Sequence, residues 1–184
     1  MSHASDNARD VAAPSCSFYA ATLVDSAEFR ERYKGQKTIV KAGDMPVEVC
    51  AQGTIKHLVH EKMDTQEYCL DIYEQQLSAG GRSGKHRHLS EELIYIIEGA
   101  GYDLHWDIRF DCGDEYTWDN EETPKRFEWE AGDFVYIPPY CSHQHFNPDS
   151  ERPVRFVSMT SRIVGKMGFD WVDQLEAAPE FGAQ

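Results

Sequence analysis

Four side chains in this sequence are of the types that grip a transition ion. Three stand in one short block, His86, His88 and Glu92, and the fourth, His143, follows much later. The first block reads G-G-R-S-G-K-H-R-H-L-S-E-E-L-I-Y-I-I-E-G from Gly80 to Gly99, and the second reads G-D-F-V-Y-I-P-P-Y-C-S-H-Q-H-F-N from Gly132 to Asn147. Residues at i and i+2 of an extended chain point to the same face, so His86 and His88 can share one ion. Three imidazole nitrogens with one carboxylate suit a borderline divalent ion, whereas calcium and magnesium prefer oxygen throughout. The other histidine pair, in His57-Leu58-Val59-His60-Glu61, has its glutamate in the wrong place for the zinc-protease patterns and lies in a strand-like stretch.

The two blocks resemble the paired motifs of the cupin superfamily. The first motif is a glycine, five residues, H-x-H, three residues, a glutamate, six residues and a glycine, and Gly80, His86, His88, Glu92 and Gly99 meet every position. The second is met by Gly132, Pro138, His143 and Asn147, with Tyr140 standing where the family usually has glycine. The turn before His143 must therefore be made without the backbone freedom that glycine supplies. The resemblance implies an all-β fold, the cupin double-stranded β-helix or jelly-roll barrel, with short helices flanking it at the N- and C-terminal ends. It also implies His86, His88, Glu92 and His143 as metal ligands. Fe(II) is the expected ion, with Mn, Ni, Cu or Zn as alternatives.

Four protein ligands on a six-coordinate ion leave two positions open, one for a substrate enolate, phenolate or carboxylate and one for dioxygen. The resemblance thus points to a metal-dependent dioxygenase oxidising a small aromatic or enolisable compound (phenolic, diketone or carboxylate) with O2, as quercetinases do. The same family includes redox-neutral lyases, decarboxylases and isomerases in which the ion acts as a Lewis acid, and non-enzymatic small-molecule-binding members. The pair His143 and His145 is also similar to gentisate-type ring-cleaving enzymes, which generally lack the glutamate. In this reading Glu92 compensates charge or accepts a proton. His145, two residues beyond His143, is an acid/base candidate, a support for the ligands or a hydrogen-bonded rim histidine. Strand parity makes Gln75 and Ile94 candidate substrate walls, and Trp106 a residue that closes the mouth. Cys141 shares the parity of His143 and reads either as a neighbour of the ion or as a small buried hydrophobe.

Composition sets the outer bounds. A chain of 184 residues with 41% hydrophobic and 27% charged residues is ordinary globular usage for one domain. The formal charge of −14, from 32 acidic against 18 basic residues, argues against nucleic acid and anionic membranes as partners. Arg82, Lys85 and Arg87 crowd the ligand histidines, either to attract a small anionic substrate or simply as a solvated loop. The five cysteines, Cys16, Cys50, Cys69, Cys112 and Cys141, include no C-x-x-C pair and read as free thiols. Neither a secretory signal nor an apolar run of membrane-spanning length is visible, so a cytoplasmic protein is expected. The family often dimerises, which makes a homodimer an expectation as well.

The elements that must position these residues follow from pattern. Residues 1–17 read as a flexible tail and 18–184 as a single cupin domain. Asp25 to Tyr33 is an expected helix, stopped by Gly35. Strands are expected over Thr38 to Lys41, Thr54 to Glu61, Cys69 to Leu77, Leu93 to Ile97, Tyr102 to Trp106, Arg126 to Trp129, Phe134 to Ile137, His143 to Phe146 and Val154 to Thr160. The turn Glu98-Gly99-Ala100-Gly101 reads as a hairpin. The acidic run Asp107 to Glu122 does not match a calcium loop and reads as a solvated excursion, or as a lid carrying Tyr116 and Trp118. Lys166 to Ala177 is the second expected helix.

Overall fold

The computed structural model describes residues 16–66, 69–114, 116–169 and 172–183. Most of the expected tail, residues 1–15, lies outside them. The chain divides at Gln36/Lys37 into two units, whereas the sequence pattern places its boundary after residue 17. The first unit contains α1, Phe18–Gly35. It starts seven residues earlier than expected because nothing in Phe18 to Val24 breaks a helix, and Arg32 and Lys34 in its last turn complement the negative end of the helix dipole. Among the described residues no helix is long and apolar enough to cross a membrane.

Among the described residues the second unit contains thirteen strands: β1 Val47–Cys50, β2 Gly53–Val59, β3 Leu70–Leu77, β4 Lys85–His88, β5 Glu92–Glu98, β6 Ala100–Trp106, β7 Ile108–Cys112, β8 Tyr116–Asn120, β9 Lys125–Glu130, β10 Phe134–Ile137, β11 Ser142–Phe146, β12 Val154–Ser161 and β13 Val172–Glu176. One antiparallel sheet runs β1-β2-β3-β12-β5-β10, a second runs β13-β4-β11-β6-β9, and β7 and β8 form a separate ribbon. From β3 onward the chain repeatedly crosses between the two larger sheets, which is the jelly-roll arrangement the motifs imply.

Three expectations are corrected. β5 and β6 are not a hairpin: they belong to different sheets, and Gly99, at φ +87°, turns the corner between them. A side chain at Gly99 would meet Val154 Cγ1 at 2.5 Å, so the corner is closed against β12. Thr38 to Lys41 is not a strand; the first strand lies at Val47–Cys50. The acidic segment is a solvated excursion, and it takes the form of the β7-β8 ribbon, with exposed Arg109 paired to exposed Asp119. The side chains of Tyr116 and Trp118, which a lid would use, lie outside the described part. Lys166 to Ala177 is not a helix beyond one turn, Gly165–Phe169, interrupted by Gly168 at φ +88°. The segment then becomes β13, because β4 offers an open edge on which Val172 pairs with His88 and Gln174 with His86.

Inside the barrel the inward-facing residues change character along each strand. On β5 they run Glu92, Ile94, Ile96, and on β12 they run Ser158, Phe156, Val154. The apolar end packs Leu77, Ile94, Ile96, Trp129, Ile137, Cys141, Val154 and Phe156 into one cluster. The polar end of the same strands carries the candidate site, so the core fixes the backbone that presents it.

Candidate metal centre

Three strands bring the four predicted ligands together. His86 and His88 alternate inward on β4, His143 begins the inward face of β11 directly opposite His86, and Glu92 opens β5 from the facing sheet. One ligand atom from each of the four lies within 4.8 Å of the others, and all four residues are buried. Tyr140 replaces the family's glycine by adopting the glycine conformation itself, at φ +64°. Its backbone N–H then donates to the His88 carbonyl at 2.8 Å, tying the β10-β11 turn to β4. The departure in sequence is absorbed by one residue in the left-handed region, at a cost of about 1–2 kcal/mol.

The second hydrogen bond of each ring fixes which nitrogen faces the centre. His88 donates Nδ1–H to the Ser90 carbonyl at 2.6 Å, and His143 donates Nδ1–H to the Cys141 carbonyl at 3.0 Å. With those protons committed, the neutral rings present Nε2 lone pairs inward, 2.9 Å and 3.1 Å from the same oxygen, Glu92 Oε2. Lone pairs facing a carboxylate repel unless a proton or a cation lies between them. A divalent ion satisfies both rings and the carboxylate at once, and on this count the donor set fits such an ion. The other carboxylate oxygen, Oε1, accepts a hydrogen bond from Ser158 Oγ, which sets the orientation of Glu92.

Electrostatics agree. Burial, reinforced by the cost of placing a positive charge beside the other histidines, holds His86 well below the ordinary imidazole range, and burial also lowers His143, so both are neutral lone-pair donors. Burial alone would raise Glu92, but the placement of the His143 and His88 rings against its Oε2, where a proton or a cation must lie, keeps it well below the usual carboxylate range. His88 is raised because Glu92 outweighs its desolvation, so in the metal-free site the proton between ring and carboxylate belongs to His88, and a bound cation would take its place. Tyr73, hydrogen-bonded with Ser158, is held well above its ordinary value by burial and by the negative charge of Glu92.

A second buried constellation adjoins the first. Asp103 Oδ1 accepts from Trp129 Nε1 at 2.8 Å and from His145 Nδ1 at 2.8 Å, and His105 Nε2 lies 3.5 Å from Asp103 Oδ2. The His145 ring is 5.5 Å from the His143 ring, and its Nε2 is buried without a hydrogen-bond partner. Motif spacing singles out His145 but passes over Asp103 and His105. The signal that could have found them is their i, i+2 spacing on an alternating strand, the same parity that marks His86 and His88.

The expected substrate walls divide. Gln75 and Ile94 face inward as parity requires, but Ile94 belongs to the apolar core and the Gln75 amide donates to the Gln52 carbonyl at 2.6 Å. Trp106 faces the other way: it follows inward His105 and carries the Lys85 ammonium 3.6 Å from its ring centre, so it does not close the mouth. Cys141 is a core residue, its thiol pushed up to about 12 by burial, and not a neighbour of the ion. Arg87 is held by Asp173 and Asn120, so neither it nor Lys85 points into the centre.

No protein-family model matches the sequence, and no curated protein is detectably similar to it. Similarity is found among solved structures. The oxalate decarboxylase of Lactobacillus farciminis, in a formate complex, superposes with a TM-score of 0.55 at 18% identity over 72% of this chain and 34% of that one. A structure of Bacillus subtilis oxalate decarboxylase, an enzyme with Mn(II) centres, gives 0.55 at 16% identity over 76% and 33%. The polyketide cyclase RemF from Streptomyces resistomycificus gives 0.53 at 15% identity over 79% and 89%. The chain has the cupin fold. It spans about a third of the length of the oxalate decarboxylases and most of the length of the cyclase. At these identities the likeness carries the architecture alone, and the chemistry of this protein rests on its own residues.

Proposed function

We propose that this protein is a metal-dependent cupin enzyme that oxidises a small aromatic or enolisable compound with dioxygen. One observation carries the proposal: three buried imidazoles and one carboxylate converge from both sheets, with two Nε2 atoms on a single carboxylate oxygen. His86, His88, Glu92 and His143 would hold the ion, with Fe(II) as the expected metal. When bound, the ion would supply Lewis acidity toward a chelated substrate oxygen and, if redox-active, an electron path to dioxygen. Ser158 and the two backbone carbonyls hold the ligand side chains in orientation. His145 is the group to move a proton, because Asp103 fixes its Nδ1–H and leaves Nε2 as the basic atom.

The same Asp103 and His145 pair favours a second reading, a redox-neutral decarboxylase, lyase or isomerase, in which proton transfer is the chemistry rather than an accessory to it. The fold neighbours are an oxalate decarboxylase and a polyketide cyclase, which is compatible with this alternative. Elemental analysis of freshly purified protein, followed by a dioxygen-electrode screen of phenolic, diketone and carboxylate compounds, separates the two. Substrate-dependent oxygen uptake supports the dioxygenase, and turnover that continues unchanged without oxygen removes it.

A further inference from the structure

A cavity of about 190 Å³ lies beside His88, walled by residues of the β3 and β12 ends and the loop after β4. Its polar lining includes Asp71, Ser90, Thr160 and Arg162, with Phe169 supplying an aromatic wall. The β12 alternation places these groups: the inward series Phe156, Ser158 continues to Thr160, which is paired with both Glu92 and Asp71, and Arg162 follows two residues on. Beyond the end of the strand, Arg162 N–H still bonds the Cys69 carbonyl, so the alternation persists to that point. The arginine side chain is only 16% exposed, with Nη1 3.5 Å from Glu61 Oε2. Among the described residues it is the one lysine or arginine that lines the cavity.

We infer that this cavity receives the carboxylate of the substrate, with Arg162 as its anchor and the Ser90 and Thr160 hydroxyls as further hydrogen-bond donors. The inference rests on the metal-centre reading above, because His88, one of the four ligand residues, forms part of the cavity wall. A planar guanidinium matches a carboxylate fork, and its low exposure strengthens the pairing relative to a solvated one. Asp71 shares the lining, so a ligand with a second negative charge is disfavoured. The volume is smaller than the roughly 300–1,000 Å³ of pockets for drug-sized ligands. Together these features define the class as small monocarboxylates, aromatic acids included. The anionic preference thus comes from a residue far along the chain, not from the Arg82, Lys85 and Arg87 cluster beside the motif.

The test is calorimetric titration of benzoate and of isophthalate into the full chain loaded with Zn(II), comparing the native protein with Arg162→Gln and Arg162→Lys. Benzoate is expected to bind the native protein, to weaken by about tenfold or more in Arg162→Gln, and to recover part of that loss in Arg162→Lys. Zinc content is expected to be the same in all three. Equal benzoate affinity in Arg162→Gln, or no benzoate binding by zinc-loaded native protein, overturns the assignment of Arg162. Isophthalate binding as tightly as benzoate overturns the single-charge limit. A native chain that takes up no zinc, read separately by elemental analysis, overturns the metal reading and this assignment with it.

Discussion

Asp103 Oδ1 lies 2.8 Å from His145 Nδ1, and both side chains are sealed inside the barrel beside the four ligand residues. Burial penalises both charged forms, yet the pairing wins. Asp103 is held well below its ordinary 3.8 by the His145 charge and by the hydrogen bonds it accepts, and His145 is raised above 6.5 by Asp103. The pair therefore acts as a fixed polar strut in the fold and as a preset tautomer for chemistry.

That pairing gives the metal-free protein a predictable pH response. A depressed Asp103 contributes stability above its unfolded value of 3.8, lost as pH falls through the folded value. A raised His145 contributes stability below 6.5, lost as pH rises through its folded value. The pair's contribution is thus greatest between those limits. Asp103→Asn should cost about 3 kcal/mol near pH 5 and less near pH 9, because the native protein has by then lost the His145 share. Thermal melts of both proteins across that range check it; a gap that widens toward alkaline pH would contradict the pairing.

The ligands make a graded prediction. His86→Ala and His143→Ala each delete a bond to the ion and should leave the purified protein with almost none of the native metal content. Glu92→Gln keeps a neutral oxygen in place and should bind metal more weakly than the native protein but better than either alanine variant. Metal content by elemental analysis, unchanged in both histidine variants, would refute the centre.

How much of this was legible in the sequence depends on the range of the interaction. His86, His88, Glu92 and His143 could be found because parity and motif spacing are local properties that survive into the fold. Tyr140 could be flagged as a departure, but not that it would take up φ +64° on its own. The β5 to β6 corner was misread because a glycine turn between two strands has the same local signature whether the strands pair with each other or join different sheets. Val172 to Glu176 was misread because its partner is the open edge of β4, more than eighty residues away, and an edge can override helical periodicity. Arg162 could not be assigned to the site because nothing near it in sequence refers to the ion.

Ser158 offers a test of support without touching the ion. Its hydroxyl donates to Glu92 Oε1 from the neighbouring strand, leaving Oε2 toward the histidines. Ser158→Ala frees the carboxylate to rotate and should weaken metal binding by roughly 10- to 100-fold while the fold stays intact. Competition of the metal-loaded variant against a chelator measures this. Native affinity in the variant would mean that Glu92 is held by the histidines alone.

Gly101 tests whether the second constellation is mechanically coupled to the barrel wall. A Cβ there would lie 2.3 Å from Trp129 Cη2 and 2.4 Å from the Phe146 carbonyl oxygen. Neither neighbour can yield cheaply, since Trp129 is anchored through Nε1 to Asp103 and the carbonyl belongs to β11. Gly101→Ala should therefore cost about 1–3 kcal/mol by overpacking. Gly113, in the β7-β8 turn, is the control: a Cβ there would meet nothing within 4 Å, and Gly113→Ala should change stability by less than about 0.5 kcal/mol. Because the relief must come through Trp129, the Gly101→Ala variant should also shift the tryptophan emission and disturb the Asp103 hydrogen bond that orients His145. A Gly101→Ala protein with native melting temperature and native emission would show that Trp129 moves freely, and with it that Asp103 is not held in place from the wall side.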